Sequence, residues 1–410
     1  MEQIKEIAYV LYENIQWIFS GIGVTVLSIL GGKEILKRIK GKQKAKDQAV
    51  NISSTNDINS ENIITQTAGT NSRNLQVMGD YHEGISYSDA RQVALDVFKA
   101  NATYVVTDIA KKIIRDRASE ITDDIFTVIY RELPNKINKL VEPAVQEALI
   151  KVQKAYAKNN SQELKIQLIE LMKQRMNVEE SDLEQIILDE AIEIIPKLSN
   201  IQLDVLSLHL AVLRINRNSV GNRNAFFKDV STRILPFFSN EMKKDMVYAH
   251  LQYVGCTGIL SEGSTYKPIE EIYRNNCGGL FSKGFEKVEF DQYMGLDTNM
   301  FRELLTNCQL DSNKLQFNAL NESVLMYIIE KHGYEKYKDK LVKYYRQHVM
   351  TVEEVKNDIS ENVEGFDELA EFWKESREFK AMKLTSVGIA IGILNYNLKT
   401  GSEIKLVDFI

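Results

Sequence analysis

The feature that most constrains this chain is an uncharged segment near its N-terminus. Asn14–Gly32 reads NIQWIFSGIGVTVLSILGG and contains no charged residue. A helix of this length spans about 28 Å at ~1.5 Å per residue, which is close to the thickness of the hydrocarbon core of a bilayer. The segment therefore predicts a single transmembrane helix.

Basic residues follow this segment directly, and they set its predicted orientation. They are Lys33, Lys37, Arg38, Lys40, Lys42, Lys44 and Lys46. Basic flanks stay on the cytoplasmic side, so we expect the N-terminus outside and the bulk of the chain in the cytoplasm. A cleaved signal peptide, the alternative, carries its basic residues before the apolar stretch and a small-residue cleavage site after it, where this chain has lysines.

Small and polar residues line one face of the predicted transmembrane helix. They are Asn14, Gly21, Thr25, Ser28 and Gly32, spaced by seven, four, three and four positions. Such faces let transmembrane helices approach closely and hydrogen-bond, so this one is either a dimerisation stripe or a chance pattern, or it lines a pore. A pore places Glu13 at the outer mouth and requires several copies, for which we favour a tetramer in the lipid bilayer.

Residues 47–84 differ in composition from the rest of the chain. Asparagine, serine, threonine and glycine dominate, and short stretches beginning at Asn51, Asn62 and Asn74 resemble one another. This composition is typical of a disordered linker. The alternative is a collar of short β-strands paired between subunits, because isolated short strands are unstable.

From Ser88 onward the sequence pattern is helical. Apolar residues recur at multiples of four from Val93 to Ile113, which indicates an amphipathic helix. Capping boxes predict the starts of three later helices: Ser181 with Glu184, Ser199 with Gln202, and Thr351 with Glu354. The glycine-rich residues 255–296 predict loops with short strands, and the terminal SEIKLVDFI predicts a closing strand.

These patterns predict a mainly α fold with four regions. Residues 1–46 form the transmembrane helix and its basic flank, and residues 47–84 form the linker or β collar. Residues 85–254 form a helical domain. Residues 255–410 form a mixed, mainly helical C-terminal domain with minor β structure.

The chain carries no motif for catalysis, a metal or a cofactor. Cys256, Cys277 and Cys308 form no C-x-x-C pair, and the five histidines have no metal-ligand spacing. We therefore expect buried free thiols, no metal site, no cofactor and no enzymatic activity. The net charge of −6 creates no general attraction for nucleic acid.

One cluster of basic residues suits phosphate and base recognition. It comprises Arg214, Arg217, Arg223, Lys228 and Arg233, with asparagines between them and Phe226 and Phe227 beside them. Guanidinium groups near amides and aromatic rings favour a nucleotide ligand. The alternative is a solvated loop between helices, because surface arginines are common.

Several segments resemble bacterial membrane-associated proteins encoded among defence genes. They are GISYSDARQVALDVFKAN, SDLEQIILDEAIEIIPKLSNIQLDVLSL and LTSVGIAIGILN. The architecture is also similar to the transmembrane effectors of Hailong-type anti-phage systems. That resemblance implies a channel-like oligomer in the bacterial inner membrane. It also implies that a single-stranded DNA oligomer, made by a nucleotidyltransferase-like partner, holds the channel closed until infection.

Three hypotheses follow from these observations. The first is an oligomeric ion channel, gated by a cytoplasmic nucleotide or oligonucleotide, that depolarises the cell and arrests growth in anti-phage defence. The second is a membrane-tethered scaffold that recruits a soluble partner without conduction. The third is a tethered enzyme whose activity would depend on a residue such as Cys277 or His250.

Overall fold

A computed structural model describes residues 86–101, 108–178, 183–215, 220–260 and 264–409. The prediction of a mainly helical chain is confirmed for these residues. The predicted transmembrane helix, its basic flank and the linker or collar lie outside them. Within the described ranges, no helix has the length and apolar character needed to cross a membrane.

The helices and strands follow one another along the chain in this order. The α-helices are α1 Tyr87–Asn101, α2 Asp108–Glu132, α3 Pro143–Lys158, α4 Gln162–Asn177, α5 Leu183–Ile194, α6 Asn200–Leu213, α7 Arg223–Arg233, α8 Asp245–Tyr253, α9 Ile269–Cys277, α10 Lys287–Met294, α11 Glu322–Lys331, α12 Lys338–His348, α13 Val352–Asn362, α14 Phe366–Glu375, α15 Arg377–Ala381 and α16 Ser386–Thr400. The strands are β1 Thr257–Ile259, β2 Leu305–Asn307, β3 Leu315–Phe317 and β4 Met382–Leu384. Short 3-10 turns connect several of these elements.

Two of the three predicted capping boxes are confirmed. The Ser199 hydroxyl accepts from the backbone N–H of Gln202, whose side chain accepts from the Ser199 N–H, and α6 begins there. Thr351 and Glu354 exchange the same two bonds at the start of α13. Such reciprocal bonds satisfy backbone donors that the first helical turn leaves unpaired. Ser181 lies outside the described residues.

The main core is built around the pair of helices α6 and α16. These helices approach closely at Gly392, which has no side chain. A Cβ there would lie only 3.1 Å from the carbonyl oxygen of Leu206. The Ser207 hydroxyl donates to the Gly392 carbonyl oxygen at 3.1 Å, and Asn395 Nδ2 donates to Ser207 Oγ at 2.9 Å. Asn395 also donates to Asp204 at 3.0 Å. Buried polar groups between the two helices are thus hydrogen-bonded, as burial requires.

A second, smaller core consists mainly of aromatic residues. The ring of Phe285 lies 5.3 Å from that of Phe290, 5.6 Å from Phe317 and 5.0 Å from Tyr344. Phe290, Phe317 and Tyr344 belong to α10, β3 and α12, and Phe285 precedes α10. All four share an apolar cluster that is distinct from the main core. Offset and edge-to-face ring pairs add to the stability that burial provides.

The main core extends across the predicted division at residues 254 and 255. Ile85–Ile410 form one compact unit. The main core contains residues from both sides of the division, such as Leu206 and Trp373. Strand β1 also pairs antiparallel with the distant β4, with Gly258 opposite Lys383.

Two local predictions are wrong. Residues 255–296 contain not only loops and β1 but also the helices α9 and α10. Helix α9 has a strongly apolar face, on which Ile269, Tyr273 and Cys277 recur every four residues and are buried in the main core. The predicted closing strand is an extended segment followed by a 3-10 turn, Leu406–Asp408. In that turn only Leu406 is buried, so the turn lacks the alternation of buried and exposed side chains that is typical of a strand.

Candidate functional site

The residues predicted to form a pore lie outside the described part of the chain. They are Glu13, Asn14, Gly21, Thr25, Ser28 and Gly32. Arg217 of the predicted ligand cluster also lies outside it. The assignments of these residues therefore stay predictions. The other four residues of the basic cluster have defined positions.

Arg223 is held by the start of helix α7. Asn222 caps this helix, because its Oδ1 accepts from the N–H of Ala225 at 2.9 Å. The N–H of Arg223 donates to Gln309 Oε1 at 2.9 Å. The backbone at this position is thus fixed by a cap and by a side chain from a distant loop.

The guanidinium of Arg223 is buried between α7, α13 and the 3-10 turn that contains Leu280. One nitrogen donates to the carbonyl oxygen of Leu280 at 2.8 Å, and the other forms an ion pair with Asp358 of α13 at 2.5 Å. The group also lies 5.1 Å from the centre of the Phe227 ring. Charge-assisted bonds and a cation–π contact therefore hold Arg223 inside the protein. This environment favours a structural role over ligand binding.

The remaining residues of the cluster do not converge on one point. Lys228 and Arg233 are exposed on α7, and Arg233 lies 3.6 Å from Asp229 of the same helix. Residues five apart on an α-helix differ in direction by ~140°. Arg223, Lys228 and Arg233 therefore point to three different sides of α7. Arg214 is exposed at the C-terminal end of α6.

A groove between α11 and α12 is a second candidate for ligand binding. Its volume is about 570 Å³, and it is open to solvent. Arg346 donates two hydrogen bonds to the Glu322 carboxylate, at 2.6 and 2.5 Å, and this pairing lowers the pKa of Glu322. Lys338, Asp339 and Lys343 also line the groove. Charges of both signs are mixed here, so the groove has no clear preference for an anion or a cation.

His209 is fully buried, and its environment keeps it neutral. Its Nε2–H donates to the carbonyl oxygen of Met382 at 2.9 Å, and the rings of Tyr266 and Phe379 pack against it. Burial lowers the pKa of the imidazole to about 3. A neutral, enclosed imidazole joins α6 to β4 and is not accessible to a substrate.

The three cysteines are buried and form no disulfide, as predicted. Burial raises the pKa of the Cys256 thiol to about 12. A thiol in this state is a poor nucleophile, because the thiolate is the reactive form. Across the described ranges, no group of three or more His, Cys, Asp or Glu residues has the arrangement of a metal site.

Comparisons with known proteins give one match. No curated protein and no solved structure is significantly similar to the chain. A protein-family model matches residues 84–410, which include every residue that the structure describes. Because this match extends over far more than half of the sequence, the chain belongs to that family, which is uncharacterised.

Proposed function

We propose that this protein is a membrane effector of bacterial anti-phage defence that acts as an oligomeric ion channel. The observation that carries the proposal is the uncharged Asn14–Gly32 segment, with its face of small and polar residues and its basic flank. In the proposed arrangement this segment is a single transmembrane helix in the inner membrane. The N-terminus is outside, and the helical body is cytoplasmic.

Conduction requires several copies, because one helix cannot enclose a pore. Thr25 and Ser28 supply hydroxyl groups to the shared face, and Gly21 and Gly32 allow close approach. Glu13 forms a ring of carboxylates at the outer mouth, which favours cations. Opening this path depolarises the cell and arrests its growth.

The body, residues 86–409, supplies the control in this proposal. A cytoplasmic ligand, of the nucleotide or single-stranded DNA class, keeps the channel closed by binding the closed state more tightly than the open state. Arg214, Lys228 and Arg233 are exposed but do not converge on one point, so each is a separate candidate for contacting it. Buried Arg223 has a structural role and is not among these candidates.

Ion flux from liposomes tests the channel. The purified full chain should release a trapped ion in the absence of the ligand, and Gly21→Leu with Thr25→Leu should abolish the release. The matched control is Ile22→Leu with Val26→Leu, which changes residues on other faces and should leave the flux intact. Equal flux from both double variants would contradict a pore along the polar face, and no flux in any ligand state would end the channel proposal.

A membrane-tethered scaffold is the second candidate function. It is favoured by large apolar side chains exposed on neighbouring elements, namely Met246 and Tyr253 of α8 and Ile259 of β1. Exposed apolar surface of this kind often contacts a partner protein. Replacing residues 1–32 by an unrelated single-pass anchor separates the two functions. A scaffold keeps its activity after the exchange, whereas a channel loses it.

A further inference from the structure

One end of the helical body is held together by a small apolar cluster. Phe98 of α1, Ala118 of α2 and Ala157 of α3 are buried against one another there. The guanidinium of Arg117 donates to the carbonyl oxygen of Ala157 at 3.1 Å. Helices α1 and α3 reach this cluster in their last turns, whereas α2 reaches it only in its third turn, so the first turns of α2 extend beyond the cluster. The last turns of α1 and α3 and the first turns of α2 therefore lie at the same end of the body.

Exposed basic side chains dominate this surface, which we call the basic end. They are Lys99, Lys111, Lys112, Arg115, Lys154 and Lys158. In the part of the chain that the structure describes, Lys112, Arg115, Lys154 and Lys158 have no ion-pair partner. Among the described side chains of these helix ends, Asp96 pairs with Lys99 at 3.3 Å, and Asp116 is exposed. The basic end therefore keeps a clear excess of positive charge.

Aliphatic side chains project from the same surface. Ile109 is 76% exposed and Ile113 is 44% exposed, and both lie on α2 one turn apart. Exposed isoleucines between lysines and an arginine are typical of helices that rest in the headgroup region of an anionic bilayer. Sites for single-stranded nucleic acid instead combine basic residues with exposed aromatic rings. The described residues of the basic end include no exposed aromatic ring.

We infer that the basic end docks on the anionic inner surface of the membrane, an inference that rests on the proposed membrane attachment. Lysine and arginine side chains are attracted to anionic headgroups, and the two isoleucines enter the interface between headgroups and acyl chains. The segment between the predicted transmembrane helix and the body is long enough to permit this contact. Residues 47–85 reach at most ~130 Å when fully extended, at ~3.3 Å per residue. Docking sets the orientation of the body relative to the bilayer.

The test places a dye on the basic end of the full chain in nanodiscs. An environment-sensitive fluorophore on Ile113→Cys reports contact with lipid, and the buried native cysteines leave the introduced thiol as the reactive one. Emission should shift to shorter wavelength in discs that contain phosphatidylglycerol. Nitroxide lipids should quench the dye at least twofold more strongly there than in discs of phosphatidylcholine alone. A dye on Tyr327→Cys of α11, which is also exposed, should not respond.

Charge reversal tests whether the basic side chains cause the contact. Lys112→Glu, Arg115→Glu and Lys158→Glu together should remove the difference between the two kinds of disc. The matched control makes the same change in charge at exposed lysines on and between α11 and α12. Its substitutions are Lys331→Glu, Lys336→Glu and Lys340→Glu. The control should keep the difference, and it excludes an effect of net charge alone.

The outcomes separate this inference from the proposed function. If the protein remains in both kinds of disc but the dye has the same emission in each, the docking is contradicted and the membrane attachment is not. A response to a single-stranded oligonucleotide, without a response to anionic lipid, assigns the basic end to nucleic acid and overturns the inference. Protein that stays with neither kind of disc contradicts both the docking and the membrane attachment.

Discussion

Arg223 and Asp358 are 135 positions apart in the sequence, yet their side chains form a largely buried ion pair with an N–O distance of 2.5 Å. The pair joins the start of α7 to the middle of α13. The same guanidinium also binds the carbonyl oxygen of Leu280. A residue that the sequence placed in a ligand-binding cluster thus connects three distant parts of the body.

Breaking this ion pair should destabilise the protein strongly. Arg223→Met leaves the largely buried Asp358 carboxylate without its cation, and we expect the free energy of unfolding to fall by about 3 kcal/mol. Arg223→Met with Asp358→Leu should recover much of that loss, because both charges are then absent. Urea unfolding measures the effect. A loss below ~1 kcal/mol for the single variant, within the range of exposed pairs, would contradict a buried structural pair.

Helix α16 should not tolerate a methyl group at Gly388. A Cβ there would lie 2.0 Å from the carbonyl oxygen of Cys256, so the helix or the segment before β1 must move. Gly388→Ala should therefore lower the free energy of unfolding by at least ~2 kcal/mol. Gly258→Ala is the matched control, because a Cβ at Gly258 meets nothing within 4 Å. Equal stability of the two variants would show that α16 packs differently.

His209 should make the protein sensitive to mild acid. Its pKa is about 3 in the folded state because of burial, against ~6.5 in the unfolded chain. The unfolded state therefore binds a proton that the folded state does not, and stability falls as the pH drops below ~6.5. Between pH 7 and pH 5 this loss amounts to about 2 kcal/mol. The free energy of unfolding of His209→Gln should differ less between pH 7 and pH 5 than that of the unchanged protein. An equal difference in the two proteins would contradict a neutral buried imidazole.

The native thiols should resist modification. Cys256, Cys277 and Cys308 are buried, and burial raises the pKa of the Cys256 thiol to about 12. A thiol-specific chromogenic reagent should react with fewer than one cysteine per chain in native buffer. It should react with all three in denaturant. Rapid reaction of Cys277 in the native protein would support the tethered-enzyme hypothesis.

Local signals in the sequence predicted a large part of the fold. The capping boxes at Ser199 and Thr351 mark the true starts of α6 and α13, because their bonds involve residues only three positions apart. The sequence pattern did not predict α9, because the glycines Gly278 and Gly279 directly follow its last residue, Cys277, and are typical of a loop. Gly279 is required there because a Cβ would lie 1.9 Å from the carbonyl oxygen of Ala319. Close approach of distant backbone is not visible in a local pattern.

The candidate site was less predictable for the same reason. The spacing of Arg214, Arg223, Lys228 and Arg233 along the chain does not reveal that α7 turns three of them in different directions. Nothing near Arg223 in the sequence identifies Asp358 as its partner. The basic end is likewise assembled from three helices that meet at Phe98, Ala118 and Ala157.

The mass of the full chain in native lipid discs tests the central claim most directly. Assembly through the Asn14–Gly32 segment predicts a multiple of the 47.0 kDa chain mass, and a tetramer gives four times that value. Gly21→Leu with Thr25→Leu should reduce the mass or broaden its distribution. A uniform mass of one chain, at concentrations that support ion flux or toxicity, would contradict the channel.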